Sequence, residues 1–295
     1  MAPTSRQRSV VIVVIAYVAA MAAALGVGHQ LEISNPLAVA LWADVGATVA
    51  IFVFSLVLRN SSVYDPYWSL APLPLVLYWC MRPEIVGVNP FRLVFVVALV
   101  MLWGARLSWN WLRGWQGLHQ EDWRYVVIQE RSGRLYWPAS FIGIHLMPTL
   151  IVFLALLPAY VAVAVGREPF GPLDLLAIFV TLGAIWLEAR ADKQLKRFRE
   201  SGPAAEDFLH IGLWKWSRHP NYLGEMGFWW GIWLFGLAAN PGWWWTIAGP
   251  LLMTAMFHFV SVPLIDARML ERRPGYAAHL ERTSRVLPLP RRRSS

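Results

Sequence analysis

The sequence predicts an all-helical, polytopic membrane bundle of seven or eight transmembrane helices, and three observations predict it. Hydrophobic residues make up 57% of the 295 residues and charged residues only 15%, with a mean hydropathy of +0.44, outside the range of soluble domains. Apolar runs long enough to cross ~30 Å of hydrocarbon recur along the chain. The runs are continuous rather than alternating with period two. Because backbone in lipid must satisfy its own polar groups, helices are predicted and a barrel is not.

The first run, Val10–Gly28, follows Arg6 and Arg8 and imitates a signal peptide, but its length and the runs behind it predict a retained first helix. Leu37–Leu58 is the second. Trp68–Met81 is short and contains Pro72 and Pro74, which suits a re-entrant or broken helix. Phe91–Leu112, Ala139–Val165 and Pro172–Glu188 follow, and Leu223–Ala239 and Trp243–Ile265 complete eight. With a cytoplasmic N-terminus, eight spans put every Lys and Arg except Arg82, Arg92 and Arg167 inside, the segregation that cytoplasmic loops require. The net charge of +8 therefore marks topology and a cytoplasmic ligand face; no nucleic-acid motif accompanies it.

Cys80 is the single cysteine, which excludes an internal disulfide, a redox pair and an all-cysteine metal site. No GxGxxG, Walker, HExxH or GxSxG pattern occurs. The chain reads as one membrane domain over 1–295. Residues 1–138 would supply helices on the substrate side and residues 172–290 a cofactor-binding region.

Polarity is unevenly spread. In the first half it concentrates in SSVYDPYWSLAP, Ser61 to Pro72; in the second, two basic segments run from Arg190 to Arg218 and from Arg268 to Arg293. A site where the basic segments meet would have an apolar half in the membrane and a cationic half facing the cytoplasm, matched to a lipid-like substrate and an anionic cofactor. In EARADKQLKRFRE, Asp192, Lys196 and Arg199 share a helix face with Glu188 one turn deeper. That face is either a solvated helix end or a wall for ribose and phosphates. In WKWSRHPNYLGE, Pro220 suits the first helical position, so the seventh span is predicted to start at His219–Pro220 with its free N–H groups beside Arg218. Asn221 and Glu225 lie one turn apart on that helix. Glu225, about a turn inside, is a functional candidate; otherwise it pairs with Arg218 or with a basic residue of the tail.

These residues resemble the steroid 5-alpha-reductase superfamily, in particular its bacterial branch of the domain-of-unknown-function type, and GLWKWSRHPNYLGE is similar to the corresponding stretch of sterol C14 and delta-7 reductases. ADKQLKRFR and DARMLERRPGYAAHLERTSRVLPLP extend the resemblance over about Pro172 to Pro290. It implies NADPH held inside the bundle by Asp192, Lys196, Arg199, Arg218, His219, Asn221, Tyr222 and Glu225, with Arg268, Tyr276 and His279. It also implies hydride transfer to a polarised carbon–carbon double bond of a hydrophobic steroid-like or isoprenoid enone taken from the bilayer, in a bacterial inner membrane with both termini cytoplasmic.

Hydride addition to an enone drives charge onto the carbonyl oxygen, so an acid must meet that oxygen. The family pairs a carboxyl group with a tyrosine. The carboxyl position falls at Asp65 in YDPYWSLAP, while the tyrosine position falls near Trp103, whose indole N–H donates but delivers no proton as a phenol does. Tyr64 and Tyr67 flank Asp65 and are expected to supply the hydroxyl, with Arg106 and Asn110 addressing the same cavity. The competing reading makes YDPYW a turn with interfacial aromatics.

Asp44, inside the second span, is expected to reach water at the outer surface rather than to relay protons. His145 and His258 lack metal-binding spacing and are expected to pack with hydrogen bonds; no metal site is proposed. The tryptophans at 229, 230, 233 and 243–245 are expected in packing and an outer aromatic belt. One alternative is an S-adenosylmethionine-dependent membrane methyltransferase of the isoprenylcysteine carboxyl type, which shares RHPxYxG and a basic tail; Asp266-Ala267-Arg268 replaces its Glu-Glu pair, and Asn221-x-x-x-Glu225 departs from it. A second alternative is a non-enzymatic lipid-binding membrane protein.

Overall fold

The computed structural model describes residues 5–82 and 87–290; Arg291, Arg292 and Arg293 of the expected basic tail lie outside the described residues. The protein is an all-helical integral membrane protein. Among the described residues no strand forms, and one isolated bridge joins Ser217 to Ser284.

Helix α1 spans Arg6–Gln30, started by the Ser5 hydroxyl accepting from the Arg8 N–H. Asn35 caps α2, Pro36–Leu58, by accepting from Leu37 and Ala38, and α2 stops where Arg59 turns left-handed at φ 50°. Gly46 lets α2 approach α1 closely: a Cβ there would stand 2.8 Å from Val27 Cγ2. The Trp68–Met81 stretch is a broken helix, with α3 over Tyr67–Leu70 and α4 over Pro72–Cys80. Pro72 and Pro74 supply no N–H to the preceding turn. Asn89 caps α5, Pro90–Gly114, and Asp122 caps α6, Trp123–Ser132. From α6 a helical run continues through α7 (Tyr136–Ser140), a π-helical turn at Phe141–Leu146, α8 (Met147–Tyr160) and a second π-helical turn at Val161–Val165. Helix α9 covers Pro172–Glu200, α10 Pro220–Ala239, α11 Ala248–Met256, α12 Val262–Arg272 and α13 Tyr276–Arg282.

Six of these runs are long and apolar enough to cross a membrane: Arg6–Gln30, Pro36–Leu58, Pro90–Gly114, Trp123–Val165, Pro172–Glu200 and Pro241–Arg272. The two other expected spans are helical without meeting both conditions. The 67–80 stretch is short and divided. Helix α10 has 20 residues, ~30 Å, but Asn221, Glu225 and three tryptophans lower its apolarity.

Two compact units form among the described residues, one within 1–87 and 97–154, the other within 88–96 and 155–295. In the first, Ile51, Val63, Tyr64 and Tyr67 belong to a core that includes Ala16, Ala20 and Ala47. In the second, α9 and α10 pack through glycines. A Cβ at Gly224 would meet Glu188 Cβ at 2.5 Å and the Ala184 carbonyl at 2.8 Å, one at Gly227 would meet Ala184 Cβ at 3.1 Å, and one at Gly231 would fall on the Thr181 hydroxyl. Small residues at this spacing let backbones approach where lipid offers no hydrophobic drive. Arg92 is fully buried in the same unit. Its guanidinium clasps both oxygens of Asp174 at 2.6 and 2.8 Å and reaches the carbonyls of Glu168, Pro169 and Ala238.

Candidate functional site

The start of α10 is held from both sides. Gly212, at φ 62°, brings the preceding loop onto α9, where Gln194 Oε1 accepts from the Leu213 N–H at 3.0 Å and the Trp214 indole donates to the Ala191 carbonyl. Arg218 N–H donates to the Ser284 carbonyl at 2.9 Å, tying the loop to the chain after α13. Pro220 is the first residue of α10, as predicted, and no side chain caps the N–H groups of its first turn.

Three expected cofactor residues converge on a carboxylate outside that expected set. Arg218 Nη1 donates to Asp266 Oδ2 at 2.6 Å; His219 Nε2 and the Tyr276 hydroxyl donate to Oδ1 at 2.9 and 2.8 Å. All four side chains are buried. Burial first, and the Asp266 charge next, push the Tyr276 hydroxyl well above the usual phenol range. Tyr222 stacks on His219 with ring centroids 5.7 Å apart, and His279 packs on Tyr276 and on Phe208. Glu225 is buried and accepts from the Trp229 indole at 2.9 Å, so Arg218 pairs with Asp266 in place of the expected Glu225. Trp229 is accordingly interior, in the packing role expected of it.

On α9, Asp192 and Arg273 act electrostatically on Arg199, and Lys196 faces Glu200 at 3.6 Å on an exposed surface. Asn221 is partly buried in the first turn of α10, and Arg268 is partly buried two residues beyond Asp266. Arg218 Nε is buried without a hydrogen-bond partner among the described residues. That orphaned donor, the uncapped turn of α10 and the cations of α9 are a donor set that fits a phosphate-bearing cofactor.

The first unit contains a cavity of about 640 Å³ lined by α1, α2 and the 67–82 stretch. Its walls are apolar, from Ala24, Leu25, Val39, Leu70 and Leu75 among others, and its buried polar pair is Asp44 with Tyr67. The Tyr67 hydroxyl donates to Asp44 Oδ1 at 2.7 Å. Asp44 is 4% exposed, which corrects the expectation that it reaches water. Tyr64 and Asp65 do not line this cavity. Tyr64 is buried with its hydroxyl on Thr149 at 2.8 Å. Asp65 is partly buried and accepts from Tyr125 at 2.6 Å. Burial pushes the Asp65 carboxyl up to about 7, against the Arg124 charge and the Tyr125 hydrogen bond, which pull it down. His145 packs as expected, bonded to Ser55 and to the Ser140 carbonyl at 3.0 Å each.

Asp266 and Asp44 are the two residues that sequence reasoning leaves out of the site. Asp44 lies inside an apolar run and Asp266 directly after one, and a carboxylate buried at such a position is costly unless paired. That signal was available for each; the partners, 23 and 48 residues away in sequence, were not.

Residues 51–283 match the family described as a protein of unknown function, DUF1295. An uncharacterised protein of the fission yeast Schizosaccharomyces pombe, C594.04c, is 27% identical over 277 residues, covering 86% of this chain and 80% of the relative. No solved structure matches the chain. The family match spans well over half of the sequence, and the chain therefore belongs to the DUF1295 family.

Proposed function

We propose that the protein is an NADPH-dependent membrane reductase that adds hydride to the polarised carbon–carbon double bond of a hydrophobic enone, steroid-like or isoprenoid, drawn from a bacterial inner membrane. The observation that carries this reading is the apolar cavity whose buried polar pair is a phenol held by a carboxyl. Its volume is within the usual range for small-molecule pockets. The resemblance of WKWSRHPNYLGE to the steroid 5-alpha-reductase superfamily supports the same chemistry.

NADPH, when bound, supplies the hydride. Lys196, Arg199 and Arg268 offer charge for its phosphates, together with the first turn of α10 and the free Nε of Arg218. Asp266 fixes Arg218 and His219, and so fixes the loop that presents that turn. In the cavity, Tyr67 gives its proton to the enone oxygen as charge develops there, and Asp44 in its protonated form returns one to the Tyr67 oxygen. The resulting enol takes a proton from water at its alpha carbon and gives its hydroxyl proton back to the Asp44–Tyr67 pair, which restores the ketone. The apolar walls exclude water and strengthen these interactions. In this reading Tyr67 takes the acid role expected of Asp65.

Titration of the detergent-purified full chain with NADPH and, separately, with S-adenosylmethionine tests the reading. Saturable NADPH binding with loss of NADPH absorbance on adding a steroid enone is expected. Binding of S-adenosylmethionine in preference to NADPH would sink it.

A further inference from the structure

We propose that a second, smaller pocket holds the adenine ring of a nucleotide, stacked on Phe208 and met at its edge by His210, with Arg282 at the rim. The identity of that nucleotide as NADPH rests on the reductase reading; the pocket itself does not.

The pocket lies in the second unit, between α13 and the loop that follows α9, and encloses about 200 Å³. A site for a whole drug-sized ligand takes roughly 300–1,000 Å³, so this space admits one ring of a larger molecule. Phe208, His210 and Arg282, none of them among the expected cofactor residues, line it with His279, which is. Its floor is aromatic. The Phe208 ring packs edge-on against Tyr276 at 5.3 Å and against His279 at 5.1 Å, and the His210 ring is 5.5 Å from it. Tyr276 and His279 are buried, Phe208 is half-buried, and His210 and Arg282 are exposed. Phe208 is thus braced by buried rings while part of its surface borders open space. An aromatic ring fixed beside a one-ring pocket is a stacking platform, which a nucleobase uses through its π face.

The edge groups select among bases. The Phe208 carbonyl oxygen only accepts, so His210 Nδ1, 3.0 Å away, carries the hydrogen, and Nε2 of the neutral ring is an acceptor. Adenine offers its amino group to such an acceptor, where guanine presents a carbonyl oxygen. The Arg282 guanidinium suits the anionic remainder of the molecule. Tyr276 links the pocket to the cluster at the start of α10. Its hydroxyl donates to Asp266, which also accepts from Arg218, while its ring packs on Phe208. The pocket therefore stands one aromatic ring away from the Arg218–Asp266 pair, so a base held here has its phosphates near the donors of that cluster.

Two lining positions can block the pocket without disturbing the ring stack. Ala278 is exposed on α13, and Ala278→Leu puts a good helix former into the space. Gly275 has an ordinary backbone at φ −70°, and a Cβ there stands 3.6 Å from Phe208 Cε1, a normal contact, so Gly275→Leu also fills the pocket without backbone strain.

The test is calorimetric titration of the detergent-purified full chain with ADP and, separately, with GDP, for wild type, Ala278→Leu, Gly275→Leu and Phe208→Leu, with thermal unfolding recorded for each. Wild type is expected to bind ADP about tenfold more tightly than GDP, the scale of one base-edge contact. Ala278→Leu and Phe208→Leu should each weaken ADP binding by about tenfold, the scale of one stacked base, with unfolding near wild type. Gly275→Leu should match Ala278→Leu and serves in its place where that variant does not fold. Wild-type ADP affinity in the folded blocking variants overturns the proposal, as does equal affinity for ADP and GDP or absence of ADP binding to wild type. If the ADP pattern holds while no enone is reduced with NADPH, the pocket stands and the reductase reading falls. If enone is reduced while the blocking variants bind ADP as wild type does, the reductase reading stands and the pocket falls.

Discussion

Arg218 donates to Asp266 over 2.6 Å, and both side chains are buried, so the most polar motif of the sequence is anchored by a carboxylate 48 residues downstream. The Asp266 oxygens also take the His219 ring and the Tyr276 hydroxyl. One anion thus fixes the loop before α10, the start of α10 and the start of α13. Removing it leaves a buried guanidinium without a counter-charge, which costs more than the net worth of the pair.

Asp266→Asn is therefore expected to destabilise the protein by roughly 3–5 kcal/mol. The measurement is thermal unfolding in detergent. A loss under ~1 kcal/mol would show that water reaches Arg218 and that the pair is a surface ion pair in effect.

Glu225 tests the cofactor reading separately from stability. Its observed bond is one it accepts from Trp229. A glutamine keeps an oxygen for that indole, so Glu225→Gln preserves the packing and removes only the charge. With Asn221→Ala as its companion, it is expected to weaken NADPH binding several-fold while unfolding stays near wild type. Unchanged NADPH affinity in both variants removes these two residues from the cofactor site.

The fold class was legible because it follows from composition and run length, which act residue by residue. Helix starts were legible where proline marks them, as at Pro220. The spacing of Asp192, Lys196 and Arg199 along α9 was legible, but the bond from the Leu213 N–H to Gln194, made where Gly212 turns the loop, was not. Pairings across long separations were not legible. Asp44 looked able to reach water because its depth along α2 was readable and the position of Tyr67 was not. Asp65 drew attention through its setting among tyrosines, yet the tyrosine it bonds is Tyr125, on a different helix.

The glycines of α10 give a packing prediction. A Cβ at Gly224 would stand 2.5 Å from Glu188 Cβ and 2.8 Å from the backbone oxygen of Ala184, so relief requires the helices to separate. Gly224→Ala is expected to cost about 1–3 kcal/mol or more, the range for overpacking. Gly183→Ala on α9, where a Cβ meets nothing within 4 Å, is the control and should be neutral or slightly stabilising. Equal stability of the two variants in thermal unfolding would contradict the close α9–α10 crossing.

Asp65 gives a pH prediction whose sign follows from its environment. Its carboxyl sits at about 7 in the folded protein against an ordinary value of 3.8, so the folded state keeps a proton that the unfolded chain releases. The stability from that proton is fully present below about pH 4 and is lost as pH rises through about 7, an effect on the order of a few kcal/mol. Wild type should therefore lose more stability between pH 5 and pH 8 than Asp65→Asn, which carries no proton to release. Tyr125→Phe removes the hydrogen bond that favours the ionised carboxyl, so it should move the midpoint of this loss to higher pH. Parallel pH profiles for wild type and Asp65→Asn would mean that Asp65 is ionised throughout, with Arg124 and Tyr125 outweighing its burial. If Asp65→Asn flattens the profile yet leaves enone turnover intact, Asp65 tunes stability and the proton for the substrate comes from Tyr67.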